Sequence, residues 1–173
     1  MPDAPDRPRA RAGPRHLVVG LATAGVVVAA DQVTKSLALS RLHGPVHVLG
    51  PFGLALGFNS GVAFSLFTRA TPVIGSLAAV VVVLLSALAW RARSGGVALA
   101  FGLVLGGALG NLCDRVFRSH HGSVVDFITL THWPTFNVAD ACITIGGISL
   151  VVAQLRRGIV TPSAARAGDG GPT

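Results

Sequence analysis

Four aspartates, one lysine and three asparagines hold most of the chemistry this chain could perform. In "FNVAD", Asn137 and Asp140 stand three apart at the head of an apolar run that continues to Leu155. In "GNLCD", Asn111 and Asp114 repeat that spacing at the close of an earlier apolar run. Asp126 lies in "VVDF", among Val124, Val125, Phe127 and Ile128. A carboxylate flanked on both sides by apolar residues is poorly solvated, so its pKa should rise. Asp140, after Val138 and Ala139, has a similar setting. Two such acids brought together could not easily both ionise. A carboxyl pair that shares one proton is equipped for general acid–base hydrolysis, the working condition of aspartic proteases. Asp31 and Lys35 are four apart and share a helix face. Inside an apolar span they read first as a structural ion pair and second as the polar wall of a site.

Other chemistries find less support. A zinc peptidase would want His-Glu-x-x-His, and the chain has no Glu. His43 and His47 are separated by Gly44 and Pro45, which argue against one helix carrying both, and His120, His121 and His132 read as solvated loop residues. Cys113 and Cys142 each lie beside an aspartate motif. Small apolar packing is the usual role of Cys, while a disulfide between them stays open on an oxidising face.

The elements that must position these residues are membrane spans. Of 173 residues, 51% are hydrophobic and 12% charged, about half the charge of a soluble domain. The apolar residues come in blocks, which indicates a compact, all-α integral membrane protein. Four transmembrane helices are expected at about 17–39, 73–90, 97–112 and 141–155. The last two are shorter than the ~20 residues of a typical span, so their polar ends should complete the crossing or the bilayer thins locally. Gly102, Gly106 and Gly110 repeat every four residues and invite a neighbouring helix to approach closely. Basic residues gather in the N-terminal tail, in "WRARSGG" and in the C-terminal tail. Under the positive-inside rule this puts both termini in the cytoplasm, and the charge of +7 then reflects topology rather than nucleic-acid binding. Loops 40–71 and 113–139 face outward, and the four body aspartates converge on the outer leaflet. The basic start and apolar core of residues 1–30 also suit a cleavable signal peptide. Apolar character that resumes after Ala30, and the odd number of spans that cleavage would leave, favour a retained first span. "VHVLGPFGLALGFNS" suggests short extended strands on the membrane surface. The tails, 1–15 and 157–173, are rich in Pro, Gly, Arg and Ala and read as disordered around a membrane domain at 16–156.

Taken together, "DQVTK" at 31–35, "NSGVAFSL" at 59–66, "GGALGNLCDR" at 106–115, "VVDF" at 124–127 and "FNVAD" at 136–140 resemble the bacterial lipoprotein signal peptidases, signal peptidase II. No single motif is decisive, but five in the family's order across most of 17–155 are highly specific. The resemblance implies a four-helix membrane aspartic endopeptidase of the bacterial plasma (inner) membrane, active at its outer face. It would cleave diacylglyceryl-modified prolipoproteins just before the lipidated Cys. By motif position the catalytic pair is Asp126 and Asp140. Asn59, Gly61, Asn111, Asp114, Arg115 and Asn137 would line or brace the site, with Asp31 and Lys35 in support. The first outer loop would form an extended, β-type cradle for the substrate. The resemblance further implies membrane lipid as a partner, a chain that works as a monomer, and no metal or cofactor.

Two departures bear on this assignment. The stretch from Asp114 to Asp126 is longer than usual for the family, and that from Asp126 to Asp140 is shorter, with its hairpin reduced to "THWPT". They leave Asp114 as a second candidate partner for Asp140. Arg115 beside it should keep Asp114 ionised and make it the poorer proton shuttle, so Asp126 is the expected partner. The alternative function is a small proton-coupled transporter. A transporter wants its acid near the bilayer midplane, whereas these acids cluster toward one face.

Overall fold

The structure, a computed structural model, describes residues 14–60, 94–118 and 122–159. The expected span at 73–90 and Gly61 lie outside the described residues. Three helices and a four-stranded sheet make up the rest: α1 (Pro14–Arg41), β1 (Val46–Leu49), β2 (Phe52–Asn59), α2 (Gly95–Phe117), β3 (Val124–Leu130), β4 (Trp133–Phe136) and α3 (Val138–Ile159). Each of the three helices is long and apolar enough to cross a membrane. Val18, Leu21, Val26, Val33, Ile145, Ile148, Val151 and Leu155 point outward, exposed. In water such a surface would promote association; in a bilayer it faces its proper solvent.

The two spans that looked short in sequence are full length because their polar ends are helical. Helix α2 runs on through Asn111, Asp114 and Arg115 to Phe117, and α3 begins at Val138, ahead of Asp140. At the far end of α2, Ser94 takes an extended N-cap conformation and accepts from the Val97 N–H at 3.4 Å. That supplies one of the donors a helix start leaves unsatisfied.

Glycine sets how closely the helices approach. A Cβ on Gly102 would lie 2.5 Å from the Gly20 carbonyl oxygen, and one on Gly106 would lie 2.7 Å from that of Ala24. With Gly110 against the Asp31 carboxylate, these three glycines form the face of α2 that meets α1. Their order shows that α1 and α2 run parallel: Gly20 and Thr23 meet Gly102, Ala24 and Val27 meet Gly106, and Asp31 meets Gly110. Gly107, a quarter-turn round α2, faces α3 instead. A Cβ there would lie 2.5 Å from the Ala139 carbonyl oxygen and 2.7 Å from Ile143, while Gly146 of α3 approaches the Ala100 backbone. Helices α2 and α3 are therefore antiparallel.

Backbone atoms cannot yield cheaply, so Gly107→Ala should displace the start of α3. The expected loss is about 1–3 kcal/mol, the usual range for overpacking, checked by thermal denaturation of the detergent-solubilised protein. A variant as stable as the wild type would show that the two helices have room to spare.

The sheet caps the end of the bundle where α1 and α2 finish and α3 starts. Its order is β1-β2-β3-β4, all antiparallel. Leu49 pairs with Phe52 across Gly50-Pro51, and Gly50 takes the left-handed φ of 53° that a tight hairpin requires at its first turn position. The expectation of extended segments in the first outer loop agrees with β1 and β2. The stretch 122–137 holds more order than its sequence suggested, because "VVDFITL" is a strand and pairs with both β2 and β4. Its first four residues are all buried, so the polar–apolar alternation of a half-exposed strand is missing.

Candidate active site

The N-terminus of α3 is built by reciprocal capping. Asn137 stands just outside the helix, and its Oδ1 accepts from the Asp140 N–H at 3.0 Å. The Asp140 carboxylate reaches back to the Asn137 N–H at 3.3 Å. This is a capping box written Asn-x-x-Asp. The Ala141 N–H finds the Asn137 carbonyl at 3.3 Å. The Ala139 N–H is satisfied from across the molecule, by Asp31 Oδ1 at 3.0 Å. Three of the helix's free donors thus have partners, and two carboxylates lie at its positive end, where they are favoured.

The Asn-x-x-Asp on α2 shares the spacing and does something different. There Asn111 and Asp114 lie on one helical face. Asn111 Nδ2 donates to Asp140 Oδ1 at 2.8 Å, while its Oδ1 accepts from Asn137 Nδ2 at 3.2 Å and from Lys35 Nζ at 3.0 Å. Asn137 Nδ2 also donates to Asp126 Oδ1 at 2.7 Å. Asp126 and Asp140 are therefore each held by an asparagine amide, and the two amides bond to each other. The Asn59 side chain adds a hydrogen bond to Asp126 from β2, where Gly57 is the residue opposite Asp126 in the ladder.

Beneath this pair lies a closed ionic cluster. Lys35 Nζ has three protons and three partners: Asp31 at 2.8 Å, Asp114 at 2.9 Å and Asn111. Lys35, Asp31 and Asp114 are all 0% exposed. Asp114 also accepts from Arg118 Nε at 2.9 Å, Gln32 Nε2 at 3.0 Å and the Val125 N–H at 3.0 Å. That last bond ties the end of α2 to β3 one residue before Asp126. Two acids and two bases balance, so the cluster carries no surplus cation for the pair above it. Among the described residues no ion pair reaches Asp126 or Asp140.

The pairing of Asp114 with Arg115 is corrected here. Consecutive helix residues point about 100° apart, and Arg115 Nη1 turns back to the Asn111 carbonyl at 3.3 Å. The cations on Asp114 are Arg118, one helical turn on, and Lys35. Arg118 also donates to Gln32 Oε1 and Ser36 Oγ, so Gln32, Ser36 and Arg118 join the cluster although the motifs did not single them out. The i, i+4 spacing of Asp114 and Arg118 was the available signal. Cys113 and Cys142 are free thiols, both half-buried. No group of His, Cys, Asp and Glu among the described residues converges as a metal site would require.

Burial pushes the Asp126 carboxyl above the usual range and the nearby Asp140 charge pushes it further, against hydrogen bonds from Asn137 and Asn59 and the pull of Lys35. A carboxyl whose pKa is raised on folding gives up stability as pH climbs through that raised value. Asp126→Asn cannot ionise and escapes this loss. Its thermal stability relative to wild type should therefore rise as pH climbs from the ordinary carboxylate range through that raised value. A pH-independent difference would mean that Asp126 ionises without cost.

Buried Asp126 and half-buried Asp140, each on an asparagine amide at the junction of membrane-length helices and a small sheet, have the make-up that carboxyl-type hydrolysis at a membrane requires. The chain belongs to the signal peptidase II family, whose model matches residues 23–156. A lipoprotein signal peptidase of Rhodococcus jostii (strain RHA1) is 46% identical over 138 residues, 76% of this chain and 70% of that one. Another, of Streptomyces coelicolor, is 39% identical over 159 residues, 88% of this chain and 76% of that one. The fold is similar to that of a bacterial membrane enzyme solved by the in meso method at 1.9 Å resolution, with TM-score 0.72 and 27% identity, covering 79% of this chain and 92% of that one.

Proposed function

We propose that this chain cleaves the signal peptide from diacylglyceryl-modified prolipoproteins just before the lipidated Cys, with Asp126 and Asp140 as its catalytic pair. Membership of the signal peptidase II family makes it a signal peptidase and leaves no place for the transporter alternative. The observation that carries the assignment is the amide bridge. Asp126 and Asp140 are joined through Asn137 and Asn111 with no ion pair to either among the described residues, whereas Asp114 and Asp31 are bound to Lys35. Only the first two are left with a proton to share.

In this reading Asp126, whose environment favours the neutral carboxyl, is the acid, and Asp140 is the base. Asp140 takes a proton from a water as the water attacks the scissile carbonyl. Asp126 donates a hydrogen bond to the developing oxyanion, and the proton then passes to the leaving amine. Asn111 and Asn137 hold both carboxylates in place without neutralising them. Gly61 belongs to the same proposed wall of the site, beside Asn59. Arg115, hydrogen-bonded to its own helix, would brace the end of α2 beneath it.

A fourth crossing at 73–90 is supported by the parallel course of α1 and α2. The chain leaves β2 at the sheet end and enters α2 at the opposite end, a course that a single crossing at 73–90 would fit. Four spans with basic links on one side put both termini in the cytoplasm and the site at the outer face of the plasma membrane. Within this reading 16–156 is the peptidase domain, it works as a monomer, and 1–15 and 157–173 are tails.

The purified chain, reconstituted in vesicles with a diacylglyceryl-modified prolipoprotein, should release a signal peptide that ends immediately before the modified Cys, as read by mass spectrometry. It should leave the unmodified precursor uncut. Failure on the modified substrate, or equal cleavage of both, overturns the reading.

A further inference from the structure

A cavity of ≈ 410 Å³ lies between the last turns of α1 and the sheet. Thr34, Leu37, Ala38 and Leu42 line it along α1, with Leu54 of β2 and Phe127 of β3 opposite. Arg41 also lines it and is exposed, which puts the guanidinium at the mouth. Neither Asp126 nor Asp140 lines it. Leu54 lies opposite Ile128 in the β2–β3 ladder, whose register is irregular between Leu54 and Gly57.

Depth and charge indicate the occupant. The span Arg15–Arg41 has 27 residues, about 40 Å at the helical rise. That matches the roughly 40–45 Å from one headgroup layer to the other. Arg41 therefore stands among headgroups, and the cavity descends from it for two turns of α1, about 12 Å, toward the hydrocarbon. Among the described residues Arg41 makes no ion pair and no side-chain hydrogen bond, so its donors are open to an external anion. An apolar slot running inward from a free guanidinium at headgroup level has the form of an acyl chain below a phosphate.

We propose that this cavity binds one anionic glycerophospholipid, with its phosphate on Arg41 and one acyl chain against Leu37, Ala38, Leu54 and Phe127. The lipid fastens the sheet to the end of α1.

The test is native mass spectrometry of the full chain in mild detergent, titrated with phosphatidylglycerol, with phosphatidylcholine, and with a diacylglyceryl-cysteine lipopeptide as competitor. One retained phosphatidylglycerol per chain is expected, bound more tightly than phosphatidylcholine. Arg41→Gln should weaken retention by at least about five-fold, and Ala38→Phe, which fills the slot, should remove it. Arg41 is exposed at a helix end, so its variant keeps the test decisive if Ala38→Phe does not fold. Three results would each overturn the proposal: no retained lipid, retention unchanged by Arg41→Gln or equal for both phospholipids, or one-for-one displacement by the lipopeptide. The last would make the cavity a substrate subsite.

Discussion

Asp126→Asn and Asp140→Asn will each slow prolipoprotein cleavage by roughly a thousandfold, the usual scale of a lost acid or base, while Asp114→Asn will still cut below its own unfolding temperature. The difference follows from what each carboxylate touches. Asp126 Oδ1 accepts from the Asn137 amide at 2.7 Å and Asp140 Oδ1 from the Asn111 amide at 2.8 Å. An Asn at either position can keep a carbonyl oxygen facing its amide donor, losing at 140 only the longer bond from the Asn137 N–H, so the fold should survive the loss of the titrating group. Asp114 instead answers Lys35 and Arg118 and holds the Val125 N–H. Its variant should lower thermal stability without removing a reacting group. The signatures are opposite: Asp126→Asn dead and relatively more stable at high pH, Asp114→Asn active and less stable. Activity and melting curves on the same samples would reveal this. An active Asp126→Asn beside a dead, well-folded Asp114→Asn would reassign the pair.

Lys35→Met should be the most destabilising single change in the described core. It removes the one cation between Asp31 and Asp114, all three groups being fully buried. Coulomb attraction strengthens in a low-dielectric interior, but the stranded Asp31 carboxylate matters more, because a buried charge left unpaired costs about 3–5 kcal/mol, whereas Asp114 keeps Arg118. Asp31 would have to take up a proton or shift. Its Oδ1 holds the Ala139 N–H at the start of α3, so disorder there would reach Asp140 directly. The expected result is a fall in melting temperature on the order of 10 °C together with loss of cleavage. Lys35→Met/Asp31→Asn, which removes one stranded charge, should recover part of the stability. A single variant that melts with the wild type would show that water reaches the cluster.

What could be read from the sequence was local. The Asp31–Lys35 pair and the Gly102–Gly106–Gly110 face depend on four-residue spacing, and helical geometry alone brings such residues together. The full length of α2 and α3 was partly hidden, because hydropathy falls at Asn111 and Asp140 although the backbone remains helical. Strand β3 was hidden for the opposite reason, since burial on both faces erased its alternation. The partners of Asp114 were misread because Arg115 is adjacent in the chain, whereas a helix brings Arg118 to the carboxylate. The bond from Ala139 to Asp31 had no local signal at all. The five ordered motifs fill that gap, since they name residues whose meeting no spacing rule foretells.

The hydrogen bond between Asp31 and the Ala139 N–H joins positions 108 residues apart. Asp31 leaves the ribosome on α1, 108 residues ahead of the group it caps, and waits through their synthesis. Asp140 emerges on the last described helix, two residues after that helix begins. Until then Lys35 and Asp31 can neutralise each other within α1, which eases their passage into lipid as a pair. The proposed hydrolytic centre is complete only once α3 inserts, so in this reading a chain translated short of α3 sits in the membrane chemically silent.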